Sequence, residues 1–273
     1  MMASSHIIID RPAKSKVSAD SPCWSINSAH APPDFRTLST SQVLLPTLRK
    51  ECLSEALGTY LLVFFGPASV IVTSASSLTA FQAQETIAAV FGFIVAVVIT
   101  SLGGISGAQI NPAVTVAIGA ARRLPKGRFV PYVLSQITGA LFAGLSLRLA
   151  FEHAGTATSL GSTRLASSVS PLEGTILEIA GTFVLALSAL SAGSFLRTNL
   201  THGIIVGATL FVLITLIGPL TGASFNPARS LGPSLFSGYF NDQLVYYIGP
   251  ILGGLAAGLI FTKISESKGA LVI

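Results

Sequence analysis

The sequence predicts an all-α membrane protein with six transmembrane helices and two re-entrant half-helices, arranged as inverted repeats. Three observations lead to this fold class. The chain is 51% hydrophobic and only 10% charged over its 273 residues, whereas soluble domains average about 25% charged residues. Six apolar segments are each long enough to cross a bilayer, which takes about 20 residues. An Asn-Pro-Ala motif occurs twice, at 111–113 and 226–228, each time at the start of a short apolar segment.

Charge and cysteine content argue against several other classes of protein. The formal net charge is +5, but the basic residues lie in the tails and short loops, which argues against a folded surface for nucleic acid. Cys23 lies in the polar tail and Cys52 at a helix start, which is not typical of a disulfide framework. The sequence has no metal-ligand spacing, no phosphate-binding loop and no Ser/His/Asp set. We therefore expect no enzymatic activity, cofactor or metal.

Taken in order, the chain begins with a polar segment, residues 1–46, whose Ser-, Ala- and Pro-rich composition is typical of a disordered tail. The membrane domain is predicted over 47–264, and 265–273 form a second tail. The predicted spans are about 48–74, 85–104, 128–150, 173–194, 202–219 and 243–264. The two half-helices are predicted at about 111–121 and 226–236, which are too short to cross.

The two halves of this domain, about 47–150 and 173–264, repeat each other. Glu55-Ala-Leu-Gly-Thr resembles Glu178-Ile-Ala-Gly-Thr, and the Asn-Pro-Ala motifs fall in the same slot of each half. Because each half has three spans, the second half enters the membrane inverted relative to the first. Inverted repeats with interrupted helices indicate a binding or conduction site near the bilayer midplane.

Lysine and arginine predict the orientation in the membrane. They concentrate before the first span, between spans 2 and 3, between spans 4 and 5, and after span 6. These segments all lie on one side, whereas the other side has Arg164 in a loop and Arg148 at a helix end. The positive-inside rule therefore predicts that both termini are cytoplasmic and that the loop at about 151–172 is external.

Asn111 and Asn226 are the strongest candidates for a functional role. Asn followed by Pro is typical of a helix start, and capping alone would explain most such pairs. Two copies in matched slots of an inverted repeat favour a second role, in which each Asn caps with its oxygen and presents NH₂ to a pore. The half-helix N-termini carry partial positive charge. Where the two N-termini face each other, they would repel cations and orient a bound water so that it does not relay protons along the pore.

The backbone before each Asn is predicted to be non-helical at membrane depth, which is tolerated where it lines a wet cavity. The residues expected to supply carbonyl groups there include Gly107, Ala108, Gln109, Gly222 and Ser224.

Three of the charged residues in the membrane domain are further candidates for a functional role. Arg229 follows Asn226 by three residues, where the first half has Val114. Because a charge inside the membrane is costly and usually functional, we expect a cationic constriction at the outer mouth; an arginine that snorkels at a helix end is the alternative. Glu55 and Glu178 are either proton-coupling carboxylates or structural acceptors for re-entrant backbone. The structural role is favoured, because the same Gly-Thr pair follows both residues.

Together these motifs resemble those of the major intrinsic protein family, the aquaporins and glycerol facilitators, over about residues 48–264. The resemblance rests on both Asn-Pro-Ala motifs, the paired Glu motifs and the run Asn-Pro-Ala-Arg-Ser at 226–230. It implies a right-handed six-span bundle, a homotetramer with one pore per subunit, and a selectivity filter. The filter positions that it implies are Phe91, Ile214, Ala223 and Arg229.

Some positions depart from the common pattern of that family. Ile214 stands where water-selective members usually have histidine, and Ile214 with Ala223 makes one wall of the constriction apolar. Ser230, in place of the Asp of glycerol facilitators, and the pair Tyr246-Tyr247 favour the water-channel branch. Gln109 replaces a histidine that is often found two residues before the first Asn.

The predicted function is a passive channel for water that passes some small neutral solutes and excludes ions and protons. Three alternatives stay open: a facilitator of glycerol, urea, ammonia or metalloid acids; a proton-coupled secondary transporter that uses Glu55 and Glu178; and a mainly structural membrane-junction protein. His202, at the cytoplasmic start of the fifth span, is a weak indication of gating and more simply an interfacial residue. The expected partners are water, small neutral solutes, lipid and further copies of the chain, without nucleic acid.

Overall fold

The computed structural model describes residues 40–195 and 198–267. Most of the predicted first tail, residues 1–39, and most of the second, 268–273, lie outside this part. The described residues form helices and connecting loops, without a strand. The helices are α1 (Thr40–Ser74), α2 (Ala80–Ser106), α3 (Pro112–Ala120), α4 (Phe129–Ala150), α5 (Ala154–Ala157), α6 (Pro171–Phe195), α7 (Asn199–Thr221), α8 (Pro227–Ser237) and α9 (Gln243–Ser267), with a 3₁₀ turn at Ser159–Gly161.

Six of these helices, α1, α2, α4, α6, α7 and α9, are long and apolar enough to cross a membrane. The predicted fold class is therefore confirmed, and the ends of the spans differ from the predicted ones by a few residues. The largest difference is at the start, where α1 begins at Thr40, inside the segment predicted as tail. Large apolar side chains on the spans are exposed, including Phe93, Phe142 and Leu149, as expected for surfaces that lipid covers.

The half-helices α3 and α8 begin where the Asn-Pro pairs predict. Asn111 and Asn226 are the N-cap residues, and Pro112 and Pro227 hold the first helical positions. Proline suits that position because its missing N–H would have no partner inside the helix. Both helices are too short to cross a bilayer, so the chain returns to the side from which it entered.

Each half-helix packs on helices of the opposite repeat: α3 lies against α9 and α6, and α8 lies against α4. Glycine makes these contacts possible. A Cβ atom at Gly254 or Gly258 of α9 would overlap the carbonyl oxygen of Ala113 or Ala117 in α3, and one at Gly232 of α8 would overlap the carbonyl oxygen of α4 residue Ala140. Such small-residue contacts let helices approach closely in lipid, and here they interlock the two repeats around the re-entrant loops.

Candidate pore and its constriction

The two re-entrant loops share an unusual backbone conformation. Gly107 and Gly222 end α2 and α7 in the left-handed region, with φ of 87° and 78°. The residues before the two asparagines, Ile110 and Phe225, are also left-handed, with φ of 47° and 52°. A bulky or β-branched residue rarely adopts this region, and each such residue costs on the order of 1–3 kcal/mol. The loops therefore need compensating contacts.

The first loop is held by the carboxylate of Glu55, which is fully buried. Its Oε1 accepts hydrogen bonds from the Ser106 hydroxyl at 2.7 Å and the backbone N–H of Gln109 at 2.9 Å. Its Oε2 accepts from the backbone N–H of Ile110 at 2.7 Å and from Nε2 of Gln136 at 2.8 Å. Four donors satisfy a charge that would otherwise be costly at this depth.

The second loop is held in the same way by Glu178, also fully buried. Its carboxylate accepts from the Thr221 hydroxyl at 2.8 Å and from the backbone N–H groups of Ser224 at 2.9 Å and Phe225 at 2.7 Å. The repeat is not symmetric here, because Pro250 occupies the slot of the amide donor Gln136. Glu178 therefore has three protein donors instead of four.

The Gly of each Glu-x-x-Gly motif makes room for the strained residue. A Cβ atom at Gly58 would lie 2.6 Å from Cγ2 of Ile110, and one at Gly181 would overlap the ring of Phe225. The motif thus supplies two things to its loop: an acceptor for the loop amides and space for the side chain before the Asn.

Asn111 and Asn226 each cap their own half-helix. Oδ1 of Asn111 accepts from the N–H of Ala113 at 2.8 Å, and Oδ1 of Asn226 accepts from the N–H of Ala228 at 3.0 Å and of Arg229 at 3.3 Å. The predicted capping by the side-chain oxygen is therefore present in both copies.

The NH₂ groups of the same two residues also link the two loops to each other. The sequence did not predict this link. Nδ2 of Asn111 donates to the carbonyl oxygen of Phe225 at 2.8 Å, and Nδ2 of Asn226 donates to that of Ile110 at 3.0 Å. Each amide thus uses one N–H across the repeat boundary and has one left. Both asparagines line the narrow cavity described next.

This narrow cavity of about 60 Å³ passes between the two loops and the helices that surround them. A single water needs about 10–15 Å³ of such space, so the cavity has room for a short file of waters. One wall is polar, and its lining residues include Gly107, Ala108, Gln109, Asn111, Ser224, Asn226 and Arg229. The other wall is apolar, with Leu62, Phe91, Val95, Ala223, Leu185, Val206, Leu210 and Ile214 among its residues.

A second, wider cavity of about 370 Å³ adjoins the first. Phe91, Ile214 and Arg229 line both cavities, and Ala223 lines the narrow one. The four residues at the implied filter positions therefore lie together, and three of them stand where the narrow cavity meets the wide one. Pro112, Ala113, Pro227 and Ala228 line neither cavity, and Ala113 instead packs against α9.

Arg229 is 3% exposed and is held from the segment that connects α4 to α6. Its Nη1 donates to the carbonyl oxygen of Gly161 at 3.0 Å, and its guanidinium carbon lies 5.1 Å from the centroid of the Phe91 ring. Its Nε has no partner among the described residues. This arrangement is a buried cation over an aromatic face rather than an arginine that snorkels outward.

The residue after Arg229 contacts the same segment between α4 and α6. The Ser230 hydroxyl lies 2.8 Å from that of Thr163 and 2.6 Å from that of Ser224. No sequence motif pointed to Gly161 or Thr163, since their roles come from the path of the segment between α4 and α6 over α8.

Two tyrosines that hold the loop ends could have been found by aligning the repeats. Tyr132 donates to the carbonyl oxygen of Ser106 at 3.1 Å, and Tyr246 donates to that of Thr221 at 2.8 Å. Each tyrosine stands four residues before a matched position, Gln136 or Pro250. The pair Tyr246-Tyr247, noted above as a family trait, thus contains one residue with a direct structural contact.

Near the same end of α2, Arg128 forms an ion pair with Glu51, with Nε to Oε2 at 2.8 Å and Nη2 to Oε1 at 3.1 Å. The hydrogen bonds to Glu51 raise the pKa of Arg128 above its ordinary value.

His202 lines the narrow cavity. The described residues contain no cluster of three or more His, Cys, Asp or Glu residues that could hold a metal ion.

Comparisons with known proteins bear on this site. A family model described as Major intrinsic protein matches residues 42–261. Aquaporin AqpM of Methanothermobacter marburgensis is 35% identical over 243 residues, which cover 81% of this chain and 99% of the relative. Nodulin-26 of Glycine max is 34% identical, with 82% of this chain and 80% of the relative covered. The X-ray structure of the aquaglyceroporin from Plasmodium falciparum superposes with a TM-score of 0.70 at 21% identity, covering 80% and 96% of the two chains; this likeness concerns the fold alone.

Proposed function

This chain belongs to the major intrinsic protein family, and we propose that it is a passive channel for water that also passes small neutral solutes and excludes ions and protons. One observation carries the proposal. Asn111 and Asn226 are cross-linked through the loop carbonyls, and both line a narrow cavity with one polar and one apolar wall.

The two walls suit a water file. Carbonyl oxygens and side-chain amides on the polar wall replace part of the hydration of each water, while the apolar wall offers it no hydrogen bonds. Water is therefore bound strongly enough to enter and weakly enough to leave, which conduction requires. An ion would lose most of its hydration shell against the apolar wall, at a cost that these dipoles do not offset.

Proton exclusion follows from the remaining N–H group of each Asn amide. A water between Asn111 and Asn226 accepts hydrogen bonds from these amides, so both of its hydrogens point away along the file. The half-helix N-termini, with about half a positive charge each, disfavour any cation at the same place. Arg229 adds a full positive charge at the constriction.

We propose that Phe91, Ile214, Ala223 and Arg229 form the selectivity filter. Arg229 and nearby carbonyl groups supply its polar side, and the other three residues supply an apolar side. A filter lined by Ile214 and Ala223 accommodates the carbon face of a small neutral solute, which favours glycerol or a similar molecule as a second permeant. This is the observation that keeps a facilitator of such solutes as the second candidate function.

We propose a structural role for Glu55 and Glu178. Seven hydrogen bonds from backbone and side-chain donors satisfy the two carboxylates. A proton-coupling carboxylate would need to release such donors in each cycle, which supports the channel over the coupled transporter.

The assembly and orientation belong to the same proposal. The distribution of Lys and Arg supports cytoplasmic termini, and the family supports a homotetramer with one pore in each subunit. Native mass spectrometry of the detergent-purified chain tests the tetramer, and protease protection of a tagged terminus in sealed vesicles tests the orientation.

Stopped-flow light scattering on proteoliposomes tests the channel, with water, glycerol and ammonia measured in parallel against protein-free vesicles of the same lipid. We expect fast osmotic water flux, slower glycerol uptake and no dependence on a proton gradient. A flux that follows the proton gradient would establish a coupled transporter instead, and no flux at all would point to a structural protein.

A further inference from the structure

We propose that Gln84 is a positioning residue for solute selection: its amide ties the Ile214 segment of α7 to α2 and thereby sets the width of the constriction. The proposal rests on the channel function above. Nε2 of Gln84 donates a hydrogen bond of 2.6 Å to the carbonyl oxygen of Ile214, across 130 residues of sequence.

Gln84 lies on the outer side of the filter. It stands about two helical turns before Phe91 on α2, so both side chains project from the same side of that helix. Gln84, Phe91, Ile214 and Arg229 all line the wide cavity, whereas Gln84 does not line the narrow one. Gln84 therefore acts through the backbone that carries Ile214 rather than as a filter wall itself.

The Ile214 segment needs an external tie because α7 lacks one of its own backbone hydrogen bonds there. Pro219 lies inside α7, so the carbonyl group of Thr215 loses its backbone donor and is displaced by the proline ring. Helices bend at such points. A side-chain donor on the neighbouring carbonyl of Ile214 holds this weakened turn in one position.

Gly218 leaves the space that the tie needs. A Cβ atom at Gly218 would overlap Nε2 of Gln84 and lie 3.3 Å from its Cδ. Any side chain at position 218 would therefore push the amide away from the Ile214 carbonyl. The tie depends on residues of two different helices, which makes it testable from both sides.

The direction of the effect follows from the helices involved. Phe91 lies on α2 and Ile214 on α7, and the hydrogen bond draws these two walls of the constriction together. Without it, α7 relaxes away from α2 and the aperture widens for a solute larger than water. We expect the ratio of glycerol to water permeability to rise about fivefold, the factor that corresponds to the net contribution of one hydrogen bond.

The experiment compares full-length wild type with Gln84→Leu and Gln84→Met, which remove the donor at similar volume, in proteoliposomes. Thr86→Val is the matched control, since its exposed hydroxyl on the same helix donates only to the Gln82 carbonyl oxygen of its own helix. We expect a raised ratio for both Gln84 variants and an unchanged ratio for Thr86→Val. A general loss of folded channels lowers both permeabilities together, so an unchanged or lower ratio would overturn the proposal.

Gly218→Ala supplies an independent arm. We expect it to raise the ratio in the wild-type background and to add nothing in the Gln84→Leu background, because both changes remove the same contact. An equal rise in both backgrounds would overturn the tie. Absence of water flux in the wild-type chain would refute the channel function itself. Water flux in the wild type together with a permeability ratio that does not change in the Gln84 variants would refute only the role of Gln84.

Discussion

The side-chain amide of Asn111 donates a hydrogen bond of 2.8 Å to the carbonyl oxygen of Phe225, which belongs to the other repeat. With its counterpart from Asn226 to Ile110, at 3.0 Å, it joins the two re-entrant loops at their left-handed residues. The capping motif of each half is therefore also a contact between the halves. Changes at either Asn should disturb the pore and the repeat interface together.

The first prediction concerns Asn111→Asp. A carboxylate still caps α3 and keeps the side-chain shape, but it cannot donate to the Phe225 carbonyl and it places a negative charge beside the water file. We expect water permeability to fall by about tenfold or more, since one buried unpaired group costs about 1–3 kcal/mol, and a cation leak to appear. Vesicle water flux and a pH-sensitive dye inside the vesicles measure the two effects.

Asn226→Asp is the matched variant for this test. Because the cross-links are reciprocal, it should give a similar loss of water flux. A normal flux and no leak in either variant would show that the amide donors are dispensable.

The second prediction concerns Glu55→Gln. The neutral amide offers one acceptor oxygen where the carboxylate offers two, and its NH₂ group faces loop donors. Leaving one buried N–H unsatisfied costs about 1–3 kcal/mol, so we expect a lower thermal unfolding temperature in detergent, measured by intrinsic fluorescence. Gln136→Met is the control, since it removes one donor to Glu55 but leaves the loop amides bound, and should cost less. Equal stability of Glu55→Gln and wild type would contradict the structural role of this carboxylate.

The third prediction concerns Ala223 and the sensitivity of water flux to mercurial reagents. Ala223 lines the narrow cavity and offers no thiol, and Cys52 lines neither the narrow nor the wide cavity. We expect water flux of the wild-type chain to resist mercurial reagents. Ala223→Cys should make the flux sensitive, with recovery after a reducing agent. Strong reversible inhibition of the wild type would mean that a native cysteine reaches the pore.

The sequence alone led to the helices and half-helices because their causes are local: apolar length for the spans, and Asn-Pro capping for α3 and α8. The matched residues Glu55 and Glu178 could also be recognised from the repeat. The cross-links could not, because the Phe225 carbonyl faces Asn111 only after the two repeats have packed.

The same reasoning applies to the segment between α4 and α6 and to α2. Gly161 accepts a hydrogen bond from Arg229 through its backbone carbonyl group. A pattern of side chains in the sequence does not predict such a contact. Gln84 looks like an ordinary polar residue at the start of a span until α7 lies beside it. Contacts made through the backbone of a distant segment are thus the part of this site that the sequence does not predict and that only the three-dimensional structure reveals.

The last prediction concerns Gly66 of α1, which lies against the Phe91 ring. A Cβ atom at Gly66 would overlap several atoms of that ring, and the ring also lies under the Arg229 guanidinium. Gly66→Ala should therefore displace Phe91 toward the constriction and narrow it. We expect water permeability per channel to fall severalfold and glycerol permeability to fall further, because the larger solute needs the wider aperture. Stopped-flow scattering on proteoliposomes measures both.

A control variant separates this effect from a general response to an added methyl group. Gly119→Ala, in the half-helix α3, places its Cβ atom 3.8 Å from the nearest side-chain atom, which belongs to Phe129, an ordinary contact that should leave both permeabilities unchanged. Adding Phe91→Ala to Gly66→Ala should restore water flux, because the displaced ring is then gone. If Gly66→Ala behaves like Gly119→Ala, the ring has room to move elsewhere and Phe91 does not set the aperture in the way that we infer.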